Sequence, residues 1–141
     1  MPSPEKPLLR FSPNVAAAKF DIAPASLVAG LLSCDDNTKD KENEQQNKGM
    51  LLLYVALFGD ERPITAPSRS KVGRAIACIN PDNWAIYATL RYNESLRPID
   101  VRYNPVDGYL YVLDFGKFEI KEDHSISAEP QSGKLWRLVP C

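Results

Sequence analysis

The run Leu53-Tyr54-Val55-Ala56-Leu57-Phe58-Gly59 returns later in the chain as Leu110-Tyr111-Val112-Leu113-Asp114-Phe115-Gly116. Related segments flank both copies in the same order. Phe20-Asp21-Ile22 matches Ile99-Asp100-Val101 upstream, and Gly73-Arg74-Ala75-Ile76 matches Gly133-Lys134-Leu135-Trp136 downstream. A repeated unit this short cannot bury its apolar face alone, so the copies must stack on one another. The runs are short, rich in β-branched and aromatic residues, and bracketed by glycine or proline, which favours strands over helices. The 12 prolines fall between apolar runs rather than inside them.

Strands are expected at residues 7–11, 19–22, 50–58, 75–79, 84–90, 99–103, 109–115 and 135–139. The run 50–58 (MLLLYVALF) is nearly all apolar, as for a strand buried on both faces. Asn80-Pro81-Asp82-Asn83 and Asn104-Pro105-Val106-Asp107-Gly108 supply turn chemistry. Residues 116–133 read as a polar loop. Residues 33–48 (SCDDNTKDKENEQQNK) hold almost nothing apolar, and are expected to form a mobile surface insertion. The acids Asp35, Asp36, Asp40, Glu42 and Glu44 lack the glycine and spacing of a calcium loop.

The expected fold class is all-β: a partial β-propeller of about two four-stranded antiparallel blades, near 15–92 and 97–141, in a single domain over 1–141. A β-sandwich is the competing architecture, since its turns recur at similar spacing. The second unit offers only three strands. Residues 7–11 stand apart, in the place of an outer strand, and one copy's N-terminal strand could complete another copy's last blade. Two blades leave sheet faces and edges open, so the expected partners are further copies in a homo-oligomer or the remaining blades of a propeller.

The net charge of −1 and the lack of clustered Lys and Arg argue against nucleic acid. No apolar run has the roughly 20 residues of a membrane span. The start has no apolar core of a signal peptide. Cys34, Cys78 and Cys141 show no metal spacing, and Cys78 lies in a strand pattern as a buried small hydrophobe. Asn93-Glu94-Ser95 is a glycosylation acceptor if the chain is secreted.

The stretches GDERPIT (59–65), VGRAIACI (72–79), RPIDVRYNPVDGYLYVLDFG (97–116) and SGKLWRL (132–138) resemble the C-terminal blades of glucose/sorbosone dehydrogenase-like proteins. The resemblance implies a six-bladed propeller, extracellular or periplasmic. It further implies a pyrroloquinoline quinone (PQQ) cofactor, often with calcium, for oxidising a sugar or alcohol. The function expected from it is the C-terminal portion of a quinoprotein sugar or alcohol dehydrogenase-like propeller, inactive alone. Alternatives are a non-catalytic propeller module binding a partner or glycan, and a truncated product without independent activity.

In a propeller, loops joining one blade to the next and loops joining second to third strands share the ligand-bearing face. Asp60, Glu61, Arg62, Arg97 and residues 117–133 should therefore lie together, with the insertion at the opposite end. A carboxylate-bearing quinone calls for guanidinium groups, making Arg62, Arg74 and Arg97 the cofactor-binding candidates. Structural ion pairing of Arg97 and Asp60 is the competing role. No catalytic residue and no metal ligand is assigned. The single histidine, His124, sits among acids in Glu122-Asp123-His124-Ser125, the setting of a solvated loop rather than of a general base.

Overall fold

The computed structural model describes residues 7–11, 15–32, 48–59, 73–92 and 96–140. The chain is an all-β, partial propeller that does not close. Its first sheet is antiparallel and four-stranded, in the order β1 (Ala17–Pro24), β2 (Leu51–Leu57), β3 (Ala75–Asn80), β4 (Ala85–Leu90). The second sheet holds β5 (Pro98–Asn104), β6 (Tyr109–Asp114) and β9 (Lys134–Leu138). A separate hairpin, β7 (Phe118–Ile120) with β8 (Ile126–Ala128), lies between β6 and β9. One short helix, α1 (Ser26–Leu32), follows β1.

Side chains alternate across a strand, so each sheet has two faces. On the first sheet Leu52, Tyr54, Ala56, Ile76 and Cys78 point one way. They pack against Val101, Leu110, Val112 and Leu138 of the second sheet, and all are buried. The Tyr54 hydroxyl crosses to donate to the Pro24 carbonyl at 2.7 Å. The first strands of the two sheets touch: the Tyr103 amide donates to the Asp21 carboxylate at 2.8 Å, and Lys19 pairs with Asp100 at 3.6 Å. Val28 and Leu31 of α1 close one end of this core. A Cβ on Gly30 would come within 3.1 Å of Pro140, so the helix meets the chain just beyond β9. The other face of the first sheet carries a second buried group, Val15, Val55, Leu57, Ala77 and Ile79, with Leu9 and Phe11 against it.

The ladders show which residues of the two sheets are equivalent. Leu57 faces Ala17 and Ala75, and Asp114 faces Pro98 and Lys134. The central strands therefore superpose in the register read from sequence, Leu53 on Leu110. The flanking strands do not. Asp21 faces Tyr54 while Arg102 faces Tyr111, so Asp21 corresponds to Arg102, two places from Asp100. Ala75 corresponds to Lys134 rather than Leu135, a one-residue shift that exchanges faces. Both first strands carry a bulge at matching places, after Ala17 and after Pro98.

Three other expectations are corrected. Residues 7–11 form no strand; Leu9 and Phe11 instead cover part of the first sheet's outer side. Residues 26–32, given no element in the sequence reading, are helical. The polar loop 116–133 contains the β7–β8 hairpin. The second blade shows three strands among the described residues. The insertion lies outside the described residues except for Lys48, as do Cys34, Cys141 and Asn93 to Ser95.

The backbone runs closest at the end of β2. Gly73 has φ +70°, and a Cβ there would fall 2.4 Å from the Gly59 Cα. The second sheet repeats the feature: a Cβ on Gly116, φ +94°, would meet Ser132 at 2.4 Å. Gly49 also has positive φ, +85°, but open space around it. Gly49→Ala is expected to cost about 1–2 kcal/mol from backbone strain alone. Gly73→Ala should cost clearly more, because alanine there must also push two backbones apart; thermal or urea melts of the two variants give the comparison.

Burial pushes the Cys78 thiol up to about 12 from its ordinary 9.0, and also drives the Tyr54 phenol strongly upward. Raised folded-state values mean that the native state holds these protons more tightly than the unfolded chain does. Their contribution is whole below pH 9 and is lost as pH rises through the folded values. Stability should thus decline from about pH 9 toward pH 12, and Cys78→Ala should flatten part of that decline.

Candidate functional site

The ends of β2 and β6, and the starts of β3, β5 and β9, converge at one end of the two sheets. Arg97 stands there, directly before β5. Its backbone is fixed twice: its amide donates to Asp114 Oδ1 at 3.0 Å, and its carbonyl accepts from the Phe115 amide at 2.9 Å. The Asp114 carboxylate also accepts from the Gly116 amide at 3.0 Å and from Trp136 Nε1 at 3.3 Å. Asp114 is itself buried, and it ties β5, β6 and β9 together at this end.

The Arg97 side chain enters an aromatic cage. Its guanidinium carbon lies 5.1 Å from the Phe58 ring centre and 5.5 Å from that of Phe118. Phe115 completes the group, edge-on to Phe58 at 5.6 Å and to Phe118 at 5.7 Å. The electron-rich ring faces attract the cation, more strongly when water is excluded. Arg97 is only 3% exposed. The cage joins the first sheet to the β7–β8 hairpin, since Phe58 follows β2 and Phe118 opens β7.

Arg74 lies at this end too, just before β3, buried and with φ +53°. Arg62, Asp60 and Glu61 lie outside the described residues. Phe58 and Gly59, which lead into them, are at the Arg97 end. Leu32, just before the insertion, and Lys48, its last residue, lie at the opposite end with α1. Arg91, which the sequence reading passed over, returns to this end, its Nη1 donating to the Gly73 carbonyl at 2.8 Å. His124 caps the hairpin turn with φ +65°, exposed, its amide donating to the Lys121 carbonyl at 2.9 Å. Beside it, the exposed Asp123 carboxyl is held below its ordinary value by hydrogen bonds from the Ser125 hydroxyl and amide.

Among the described residues, no group of three or more His, Cys, Asp or Glu side chains is placed to hold a metal ion. No helix among them is long and apolar enough to cross a membrane. A cavity of about 420 Å³ opens elsewhere, between Tyr92 and Leu96, which lie between β4 and β5, and Trp136, Arg137 and Leu138 of β9 with Val139 just beyond it. Neither Arg74 nor Arg97 lines it.

A carboxylate-bearing quinone would require accessible guanidinium forks. Arg97 offers its charge to aromatic rings, and Arg74 is 8% exposed. Arg62, the third candidate, lies outside the described residues. No family model matches the chain, no curated protein matches it, and no solved structure matches it.

Arg97→Ala should empty the cage and lower stability by about 2 kcal/mol or more without any ligand present, through the lost desolvated cation–π contact and the cavity left behind. A melt indistinguishable from the unsubstituted protein would instead return Arg97 to the role of ligand binder.

Proposed function

We propose that this chain is a non-catalytic, two-blade portion of a larger β-propeller, one of the quinoprotein sugar or alcohol dehydrogenase-like kind that its sequence resembles. Cofactor and substrate chemistry belong to other blades in this reading, and the chain supplies structural closure and part of one propeller face. The observation that carries it is the head-to-tail relation of the sheets. The face that the second sheet buries with Val101, Tyr103 and Leu110 corresponds, residue for residue, to Phe20, Ile22 and Leu53 on the first sheet's outer side. That outer side is partly bare: Phe20 is 55% exposed, Ile22 50%, Leu51 51% and Ile86 54%. Exposed apolar area of this kind marks an interaction surface.

The two open faces differ in chemistry. The second sheet's outer face carries Arg102, Tyr111 and Arg137. Tyr111 donates to Asp107 at 2.6 Å, and Arg137 lies 5.1 Å from the Tyr109 ring centre. Leu113 and Leu135 share this face, 41% and 67% exposed, but its charged groups match Phe20 and Ile22 poorly, which favours blades of different sequence over a ring of identical copies. The isolated chain should reduce no dye with aldoses and PQQ, with or without calcium. It should associate at micromolar concentration until Phe20→Glu makes the bare face charged, leaving the thermal midpoint in place. Turnover by the chain alone, or a closed trimer in light scattering, overturns the reading.

A further inference from the structure

Two turns of this chain are built alike. In Asn80-Pro81-Asp82-Asn83-Trp84, Asn80 Oδ1 accepts from the Asp82 amide at 2.9 Å and the Asn80 carbonyl from the Trp84 amide at 2.8 Å, while Asn83 Oδ1 accepts from the Ala85 amide at 3.0 Å. In Asn104-Pro105-Val106-Asp107-Gly108, Asn104 Oδ1 accepts from the Val106 amide at 3.0 Å and the Asn104 carbonyl from the Gly108 amide at 2.8 Å, while Asp107 Oδ1 accepts from the Tyr109 amide at 3.0 Å. The last turn residue has positive φ in both, +56° at Trp84 and +77° at Gly108. The first turn carries a large side chain at this place, and a Cβ on Gly108 would meet nothing within 4 Å. What the glycine changes is chemistry: no side chain shields the amide nitrogen that follows the Asp107 carboxyl.

An aspartate followed by glycine is open to an intramolecular reaction. The Gly108 nitrogen attacks Cγ of the protonated Asp107 carboxyl, a C–N bond forms, and the amide proton leaves with the carboxyl hydroxyl as water. Water then opens the cyclic imide at either carbonyl. One opening restores aspartate; the other gives isoaspartate, in which the main chain runs through the side-chain carbon. The net mass is unchanged, one oxygen is exchanged with solvent, and water is the single co-reactant. Asp107 is exposed and Val106 beside it is 92% exposed, so water is at hand.

Three contacts oppose the attack. The Gly108 amide is engaged by the Asn104 carbonyl, Asp107 Oδ1 is held by the Tyr109 amide, and Asp107 Oδ2 accepts from the Tyr111 hydroxyl at 2.6 Å. Tyr111 sits opposite Arg102 in the β5–β6 ladder, so the third contact belongs to the paired hairpin. The Tyr111 bond, helped by the Tyr109 amide, Asn104 and the Arg137 charge, also holds the Asp107 carboxyl below its ordinary value, in the ionised form that cannot release water. We propose that Asp107-Gly108 is an isomerisation site, held unreactive by Tyr111 in the folded β5–β6 hairpin and released when the hairpin opens. The product lengthens the main chain by one carbon at the turn, so each event permanently marks a hairpin that has opened.

The test holds the full chain at neutral pH in water labelled with heavy oxygen, folded or in urea. The peptide carrying Asp107 is then separated by chromatography and weighed. Isoaspartate with one solvent oxygen should form at least roughly tenfold faster in urea, since reaction in the folded chain waits on local opening. Gly108→Ala should suppress the reaction in urea. Tyr111→Phe should speed it roughly threefold or more in the folded chain, the scale of one exposed contact to a charged group, with the thermal midpoint in place. Equal rates folded and in urea overturn the protection, and this comparison decides even if Tyr111→Phe fails to fold. A folded Tyr111→Phe that reacts no faster overturns the part given to Tyr111. Absence of isoaspartate in urea overturns the site itself.

Discussion

The structure depends on one apolar contact, between the inner face of the first sheet and the inner face of the second. Leu52, Tyr54 and Ile76 meet Val101, Leu110 and Val112 there, and each is nearly or fully buried. Burying side chains of this size contributes about 1.5–3 kcal/mol each. The helix α1 is anchored on the same contact, its buried residues Val28 and Leu31 packing into that core. The cavity beside β9 is where that contact runs out. The polar elements arrange themselves around it: Asp21 reaches across to the Tyr103 amide at one strand pair, and Asp114 organises the end where Arg97 enters its cage.

Part of this was legible in the chain. The central strands β2 and β6 could be aligned because both are long apolar runs that end in Phe-Gly, and both glycines adopt positive φ, +89° and +94°. The flanking alignments failed for physical reasons. Matching Asp21 to Asp100 treated a shared residue type as a shared position, yet the ladders place them two residues apart. Matching Gly73 to Gly133 placed β9 one residue out, whereas the crowding that requires glycine at 73 falls on Ser132 in the second sheet. The hairpin β7–β8 escaped notice because its strands are three residues long and mostly exposed. The position of Arg97 at the head of a blade was readable from Arg97-Pro98. Its aromatic surroundings were not, because Phe58 and Phe118 come from separate parts of the chain.

The cage sets the Arg97 guanidinium against ring faces. A guanidinium can be satisfied by ring faces as well as by carboxylates. Here the Asp114 carboxylate accepts from the backbone amides of Arg97 and Gly116. The repeat supplies the aromatic partner in both units, Phe58 and Phe115 at matching positions, and Phe118 is added by the β7–β8 hairpin of the second unit.

The first sheet is apolar on both sides, and every one of its strand pairings joins neighbours in the chain. During synthesis it can therefore be complete before β5 has left the ribosome. At that moment neither of its faces has its cover from the second sheet or from another blade, and Tyr54, Ile76 and Phe20 are presented to the surroundings together. The last strand of the second sheet, β9, must in turn wait for the β7–β8 hairpin to be made before it can join β6. The most vulnerable species on the way to the native state is thus a finished sheet waiting for its neighbour, which makes chaperone demand a property of the order in which the two units emerge.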